Sequence, residues 1–140
     1  IAPFGLFDEK DPATDPWAQV APNIPALLCA DPKVYEDLKA MPAGANSIEW
    51  PIEQTRANEA AARVFWPLGN TRLEKRLPLI KCPTLVLWGD QDKLIPRSYA
   101  DKVSKAIGAK AKVQMITGAG HLAELDQPDA VAKAVLEFMA

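Results

Sequence analysis

The sequence predicts an α/β fold with a doubly wound, mostly parallel sheet in its C-terminal half. Short apolar runs alternate there with helical patterns, which is typical of parallel strands joined by crossover helices. Residues 84–88 form a nearly all-apolar run between a proline and a glycine, as expected of a strand buried on both faces. The N-terminal half is rich in proline instead, and it predicts loops and short helices.

Two helices are predicted in the N-terminal half. Asp31 precedes a proline at the first helical position, so it caps a short helix predicted over residues 32–41. A longer helix is predicted over residues 50–66, because the helix formers 59–63 lie inside it and Pro67 ends the pattern. This half therefore predicts a mainly helical segment.

The C-terminal half predicts two strands and two helices in alternation. The strand at 84–88 is followed by a predicted helix over 97–107. The apolar residues of this helix lie on one face, and Gly108 is predicted to end it. A second strand over 113–116 ends in a glycine-rich turn, and a helix over 128–139 follows. The inward positions of that last helix are predicted to be Val131, Val135, Phe138 and Met139.

Composition argues against several classes of function. The chain has 140 residues, of which 49% are apolar and 24% are charged. This length and composition predict one ordered domain. A net charge of −2 provides no basic stripe for phosphates, so no nucleic-acid partner is predicted. No apolar run approaches the ~20 residues that cross a bilayer, and no membrane partner is predicted. One histidine and no paired cysteines predict neither a metal site nor a cofactor.

The two cysteines, Cys29 and Cys82, have neither metal-binding nor redox spacing. Cys82 is interpreted as a small apolar residue at the entrance to a strand and Cys29 as a residue packed under a loop, since free cysteine is commonly buried. Unpaired cysteines favour a reducing compartment, and we expect a cytoplasmic protein.

Two titratable residues follow the two predicted strands at matching positions. Asp92 comes four residues after the first strand, and His121, the only histidine, comes five residues after the second. Functional groups collect beyond the carboxyl ends of parallel strands, and neighbouring strands lie about 4.8 Å apart. The two loops can therefore bring a carboxylate to an imidazole, as in a catalytic triad. Taken singly, the aspartate would be a turn former and the histidine a structural residue.

The same residues resemble the C-terminal block of the α/β-hydrolase superfamily, most strongly over about residues 79–140. The resemblance implies that Asp92, three residues after a glycine, is the acid of a triad and that His121 is its base, with Asp90 as the second choice for the acid. It rests on Pro83 to Asp92, Leu94 to Pro96, Gly118 to His121 and Asp126 to Pro128.

The resemblance divides the chain into three parts. Residues 1–6 would end a core strand, residues 7–72 would form a cap or lid over the active site, and residues 73–140 would complete the core. The fold class is then the C-terminal part of a doubly wound, mostly parallel α/β-hydrolase sheet with a mainly helical cap. The cap aromatics would either shape an apolar substrate pocket or simply fill the cap core. They are Trp17 and the three substrate-binding candidates Trp50, Phe65 and Trp66.

The third member of a triad is not found in this sequence. The family places its nucleophile, a serine or an aspartate, upstream of the acid and the base, with serine in a Gly-x-Ser-x-Gly turn. Ser47, Ser98 and Ser104 are the three serines, and none is flanked by glycines in this way. We therefore expect the nucleophile in sequence upstream of Ile1, and we expect the 140-residue chain alone to be inactive.

The sequence leaves two functions open. The first is an esterase-like or C–C bond hydrolase whose C-terminal fragment supplies the acid and base of a Ser/Asp-His-Asp triad. Its partners would be a small-molecule substrate and its own N-terminal half or a second copy of the chain. The alternative is a non-catalytic α/β-hydrolase-like binding or assembly module. Kinship of fold selects no substrate, because the superfamily spans many reactions.

Overall fold

Two parallel strands form the sheet of the structure, a computed structural model that describes residues 1–140. The strands are β1 (Thr84–Gly89) and β2 (Ala111–Ile116). They pair along their whole length, from Thr84 opposite Ala111 to Gly89 opposite Ile116. Both predicted strands are confirmed, and β2 begins earlier than predicted because Ala111 and Lys112 join the ladder. Since the pairing is parallel, both strands end at the same edge.

The helices predicted from the sequence are confirmed to within two residues at either end. Three further helices of four or five residues are too short to produce a periodic pattern. No helix combines the length and apolar character that a membrane crossing requires. In chain order the helices are α1 (Ile24–Leu28), α2 (Pro32–Lys39), α3 (Glu49–Phe65), α4 (Leu73–Arg76), α5 (Ser98–Ile107), α6 (Ala123–Asp126) and α7 (Pro128–Met139), with 3₁₀ turns at Pro16–Ala18, Ala21–Asn23 and Leu77–Leu79.

The predicted end of a core strand at residues 1–6 does not form a strand. Ala2 is buried, and its N–H donates one hydrogen bond to the Leu87 carbonyl at 3.1 Å. Pro3 has no N–H to continue a ladder, and Gly5 turns the chain away with a φ of +120°. This segment therefore packs beside β1 without extending the sheet.

The core lies on both faces of β1, as the all-apolar run predicts. Alternate side chains of a strand point to opposite faces. Val86 and Trp88 accordingly pack with Tyr99 and Val103 of α5, while Leu87 packs on the other face with the α7 cluster. The cluster against α7 consists of Leu87, Ile116, Ala119, Ala123, Val131 and Ala134.

The inward face of α7 is narrower than predicted. Val131 and Ala134 are buried and Phe138 is half-buried, but Val135 and Met139 are 38% and 76% exposed. A sheet of two strands is not wide enough to cover the remaining turn of a twelve-residue helix. The prediction that Val135 and Met139 face inward is therefore wrong for this structure.

The two cysteines have different environments. Cys29 is 1% exposed, as predicted, whereas Cys82 is exposed because it precedes β1 at the surface. Burial, together with the negative charge of Asp126 and neighbouring carboxylates, raises the pKa of the Cys29 thiol to about 11. Because the thiolate is the nucleophilic form, Cys29 is protected both sterically and by its protonation state.

Alkylation with iodoacetamide at pH 8 should modify Cys82 and spare Cys29 in the native protein. Intact mass and peptide mapping should find one adduct at Cys82, and a second at Cys29 only after addition of denaturant. Rapid native modification of Cys29 would contradict the burial described above.

Candidate active site

Direct backbone contact joins the loops that follow the two strands. The Asp90 N–H donates to the Ile116 carbonyl at 3.1 Å, and the Gln91 N–H donates to the Ala119 carbonyl at 2.9 Å. Gly89 is buried against the same segment, and a Cβ there would overlap the carbonyl oxygens of Ala119 and Gly120. Glycine is therefore required at this strand end, and the loops are held at a fixed separation.

The structure brings the predicted acid and base together. The Nδ1 atom of His121 lies 3.0 Å from Oδ2 of Asp92. The other carboxylate oxygen, Oδ1, accepts hydrogen bonds from the N–H groups of Leu94 and Ile95, both at 2.9 Å. The Asp92 side chain is 0% exposed and that of His121 is 10% exposed. A buried carboxylate needs such partners, and here three donors fix its orientation.

The contact with Asp92 determines which ring nitrogen of His121 is available. A carboxylate accepts hydrogen bonds, so Nδ1 carries the proton and neutral imidazole has its lone pair on Nε2. Nε2 makes no hydrogen bond within the chain, and the ring borders a cavity. Phe4 packs against the ring in an edge-to-face arrangement, with centroids 5.6 Å apart at 68°. A base poised in this way can accept a proton from a group entering the cavity.

Asp90, the second choice for the acid, has a different contact. Its Oδ1 accepts a hydrogen bond from the Gly118 N–H at 2.9 Å. Asp90 therefore bonds the backbone of the loop that carries His121, whereas Asp92 bonds the ring itself.

A third aspartate, Asp126, has a role that the sequence does not indicate. Its carboxylate accepts hydrogen bonds from the N–H groups of Gly120, Ala30 and Asp31, at 2.7, 2.8 and 3.2 Å. The resemblance included Asp126, but nothing in its local pattern indicates a bond to a residue 96 positions away. Only the folded chain brings these groups together.

A cavity of about 610 Å³ opens beside His121. Its lining contains no lysine, arginine, aspartate or glutamate. Aromatic rings dominate one wall, where Trp17 stacks on Phe65 with centroids 6.2 Å apart and Phe4 lies 6.0 Å from Phe65. The complete lining is Phe4, Pro16, Trp17, Gln19, Ala21, Ile24, Leu28, Tyr35, Asn58, Ala61, Phe65, Leu94, His121 and Leu122.

Comparison with known proteins identifies the family. The family model described as "Alpha/beta hydrolase family" matches residues 1–134. This chain belongs to the α/β-hydrolase family. The fold-class prediction is thereby confirmed.

The α/β-hydrolase relatives differ in what their names describe. Monoacylglycerol lipase ABHD6 of Homo sapiens is 34% identical over 68 residues, which are 49% of this chain and 20% of that protein. A 2-hydroxy-6-oxo-6-phenylhexa-2,4-dienoate hydrolase of Comamonas testosteroni is 30% identical over 73 residues, or 52% of this chain and 25% of that protein. A crystal structure of a bacterial membrane phospholipase A has a TM-score of 0.51 at 20% identity, over 87% of this chain and 44% of that one, and shows the fold alone. The matched segments thus span a fifth to a quarter of these two relatives' length.

The predicted substrate-binding residues of this α/β-hydrolase chain fall in different places. Phe65 lines the cavity, whereas Trp66 is 58% exposed and its Nε1–H donates to Asp15 at 3.1 Å. Adjacent residues leaving a helix project in different directions, so Phe65 and Trp66 cannot share one wall. Trp50 lies at the other end of α3, roughly 22 Å from Phe65 at 1.5 Å per residue, and does not line the cavity. Trp17, another aromatic residue of the predicted cap, also lines the cavity.

None of the chain's other nucleophile or metal-ligand candidates lies at the cavity. Ser47, Ser98 and Ser104 are absent from its lining, and the Ser98 hydroxyl donates to Asp11 at 2.6 Å. No three His, Cys, Asp or Glu side chains converge as a metal site would require. The site within these residues is therefore an aspartate–histidine pair beside an uncharged cavity.

Gly89→Ala should lower the free energy of unfolding by roughly 1–3 kcal/mol or more, because the new Cβ would overlap backbone that cannot move separately. Urea unfolding monitored by circular dichroism measures the change. Gly69→Ala is the matched control, since the nearest atom to a Cβ there is 3.9 Å away. Equal midpoints for the two variants would contradict the close approach described for Gly89.

Proposed function

We propose that the protein is an ester hydrolase in which His121 is the general base and Asp92 orients and stabilises it. The observation that carries the proposal is the 3.0 Å contact between Asp92 and the Nδ1 atom of His121, with Nε2 left free at the cavity. Membership of the α/β-hydrolase family supports the same reaction class. The order of acid before base along the chain also agrees with that family's triad.

The nucleophile would come from sequence outside these 140 residues. With a serine nucleophile, Nε2 of His121 takes the hydroxyl proton as the oxygen attacks the ester carbonyl carbon. Collapse of the tetrahedral intermediate breaks the bond to the leaving alcohol, which receives that proton from His121. Water then repeats the sequence on the acyl-enzyme, releasing the acid and regenerating the serine. Asp92 stays ionised throughout and stabilises the imidazolium.

The lining of the cavity favours an uncharged substrate with an apolar acyl or aryl group. Apart from His121, the polar side chains that line it are neutral ones from Gln19, Tyr35 and Asn58. A substrate carboxylate would find no lysine or arginine there, and burial of an unpaired charge is costly. The cavity therefore favours a neutral ester over an anionic dienoate of the kind named for the Comamonas relative.

The 140-residue chain alone would be inactive under this proposal. The covalent step needs a nucleophile, and the oxyanion hole usually supplies the largest electrostatic contribution. The N-terminal half of the protein, or a second chain, would provide both. Substrate binding by the cap then depends on Trp17 and Phe65, the two stacked rings of the aromatic wall.

A fluorophosphonate probe tests for the serine nucleophile. The full-length gene product is incubated with the probe and its intact mass is read under denaturing conditions. We expect a labelled species about twice as long as the 140-residue chain, or a labelled companion chain. The His121→Gln variant should not be labelled. A single unlabelled 15.2 kDa species would favour the non-catalytic module instead. An unlabelled full-length species that still hydrolyses substrate would indicate an aspartate nucleophile.

Asp92→Asn should lower kcat on a p-nitrophenyl ester on the order of 10³–10⁴-fold, because an amide favours the wrong tautomer of His121. Steady-state kinetics on the full-length protein measure this change in kcat. Asp101→Asn, in the exposed first turn of α5, is the control and should match the wild type. Asp90→Asn keeps an oxygen for the Gly118 N–H and should lose far less activity than Asp92→Asn. A larger loss at Asp90 would reverse the assignment of the acid.

A further inference from the structure

Asp126 bonds two segments that are distant in sequence. We call residues 117–122 the histidine loop and residues 29–31, between α1 and α2, the cap elbow. Oδ2 of Asp126 accepts hydrogen bonds from the Gly120 N–H of the histidine loop and from the Ala30 N–H of the cap elbow. Oδ1 accepts a further hydrogen bond from the Asp31 N–H of the cap elbow. A single carboxylate therefore connects the loop that carries the general base to the cap.

The two segments also meet backbone to backbone. A Cβ at Gly120 would lie 2.8 Å from the Ala30 nitrogen and from the Cys29 carbonyl carbon, so no side chain fits between them. The Leu122 N–H donates to the Leu28 carbonyl at 2.9 Å beside the same contact. With so little space, a shift of the cap elbow is transmitted to the histidine loop.

Both segments connect directly to the wall of the cavity. Leu28, which precedes the cap elbow, lines the cavity, and so do His121 and Leu122 of the histidine loop. The two bonded segments therefore contribute neighbouring parts of the cavity lining, so their relative position affects the space open to an acyl group. The His121 ring is held from one direction by Asp92, and its backbone is held from another by the bond of Asp126 to the adjacent Gly120.

The negative charge of Asp126, as well as the shape of its side chain, contributes to holding the two segments together. Hydrogen bonds to an ionised acceptor are roughly twice as strong as those between neutral groups. The carboxylate offers both oxygens to three N–H groups, whereas the amide of asparagine offers one oxygen and turns an NH₂ group towards an N–H donor. The substitution Asp126→Asn would therefore leave at least one donor unpaired while preserving the volume of the side chain.

We propose that Asp126 is a positioning residue that holds the cap elbow and the adjoining Leu28 at a set distance from His121, so that it determines both acyl binding and the placement of the general base. The proposal rests on the proposed ester hydrolase function. A purely structural role would change only the amount of folded protein. A positioning role changes the dependence of the kinetics on acyl length.

The kinetic test compares Asp126→Asn and Asp126→Ala with Asp129→Asn in the full-length protein. Asp129 lies exposed in the first turn of α7 and makes no side-chain hydrogen bond, so its variant should behave as the wild type. The substrates are p-nitrophenyl acetate, which has a two-carbon acyl group, and p-nitrophenyl octanoate, which has an eight-carbon acyl group. KM and kcat are measured separately for each ester.

For Asp126→Ala we expect kcat to fall about 10-fold on both esters and KM to rise about 10-fold on the octanoate alone. The loss of kcat/KM on the octanoate is then about 100-fold, the size expected when a site is misplaced by about 1 Å. In Asp126→Asn, kcat and KM should change in the same directions by smaller factors. Because this variant preserves the side-chain volume, it keeps the test valid if the alanine variant does not fold. Equal losses on both esters with unchanged KM would overturn the proposal.

Amide hydrogen exchange tests the same contact without any activity. In Asp126→Asn or Asp126→Ala, the amides of Ala30, Asp31 and Gly120 should exchange at least about 10-fold faster than in the wild type. The amides of Leu94 and Ile95, which bond to Asp92, should keep their protection. Faster exchange at Gly120 alone, or equally at all five amides, would overturn the positioning role. If the wild type neither hydrolyses esters nor takes the probe, the proposed function fails while the exchange result still decides the role of Asp126.

Discussion

The close approach of Gly89 to the backbone of Ala119 and Gly120 is the constraint on which the site depends. Parallel pairing brings the ends of β1 and β2 to one edge, but pairing alone leaves the following loops free to separate. The absence of a side chain at Gly89 lets peptide groups of the two loops bond directly. The side chains of Asp92 and His121 then span the remaining distance and meet at 3.0 Å.

Asp92 and Asp126 both organise hydrogen-bond networks, and the two networks hold different groups in place. Asp92 and Asp126 each accept three hydrogen bonds. Asp92 uses two backbone donors to orient itself and gives its remaining acceptor to the His121 ring. Asp126 uses both of its oxygens to accept hydrogen bonds from backbone N–H groups and so joins the histidine loop to the cap elbow. The Asp92 side chain is 0% exposed, so the cost of burying its carboxylate makes the surrounding donors obligatory.

Two features of the sequence predicted the elements that build this site. The apolar run at 84–88 predicted a strand buried on both faces, and the structure packs it against α5 on one side and α7 on the other. Matching offsets after two strands predicted the meeting of Asp92 with His121. Residues 1–6, which the resemblance assigned to the end of a core strand, form no strand in this structure, because a proline and a positive-φ glycine leave only one hydrogen bond to β1.

By itself the sequence determined the strands and the longer helices, because these follow from periodicity, capping and turn chemistry among near neighbours. It also indicated the aspartate–histidine pair, because both residues follow a predicted parallel strand by a similar number of positions. The tertiary structure alone decided that Phe65 faces the cavity while Trp66 faces solvent, since that depends on how α3 packs. It alone decided the contact of Asp126 with Ala30, which joins residues 96 positions apart. Such contacts leave no local pattern, because their free energy arises only when distant segments are brought together and water is excluded between them.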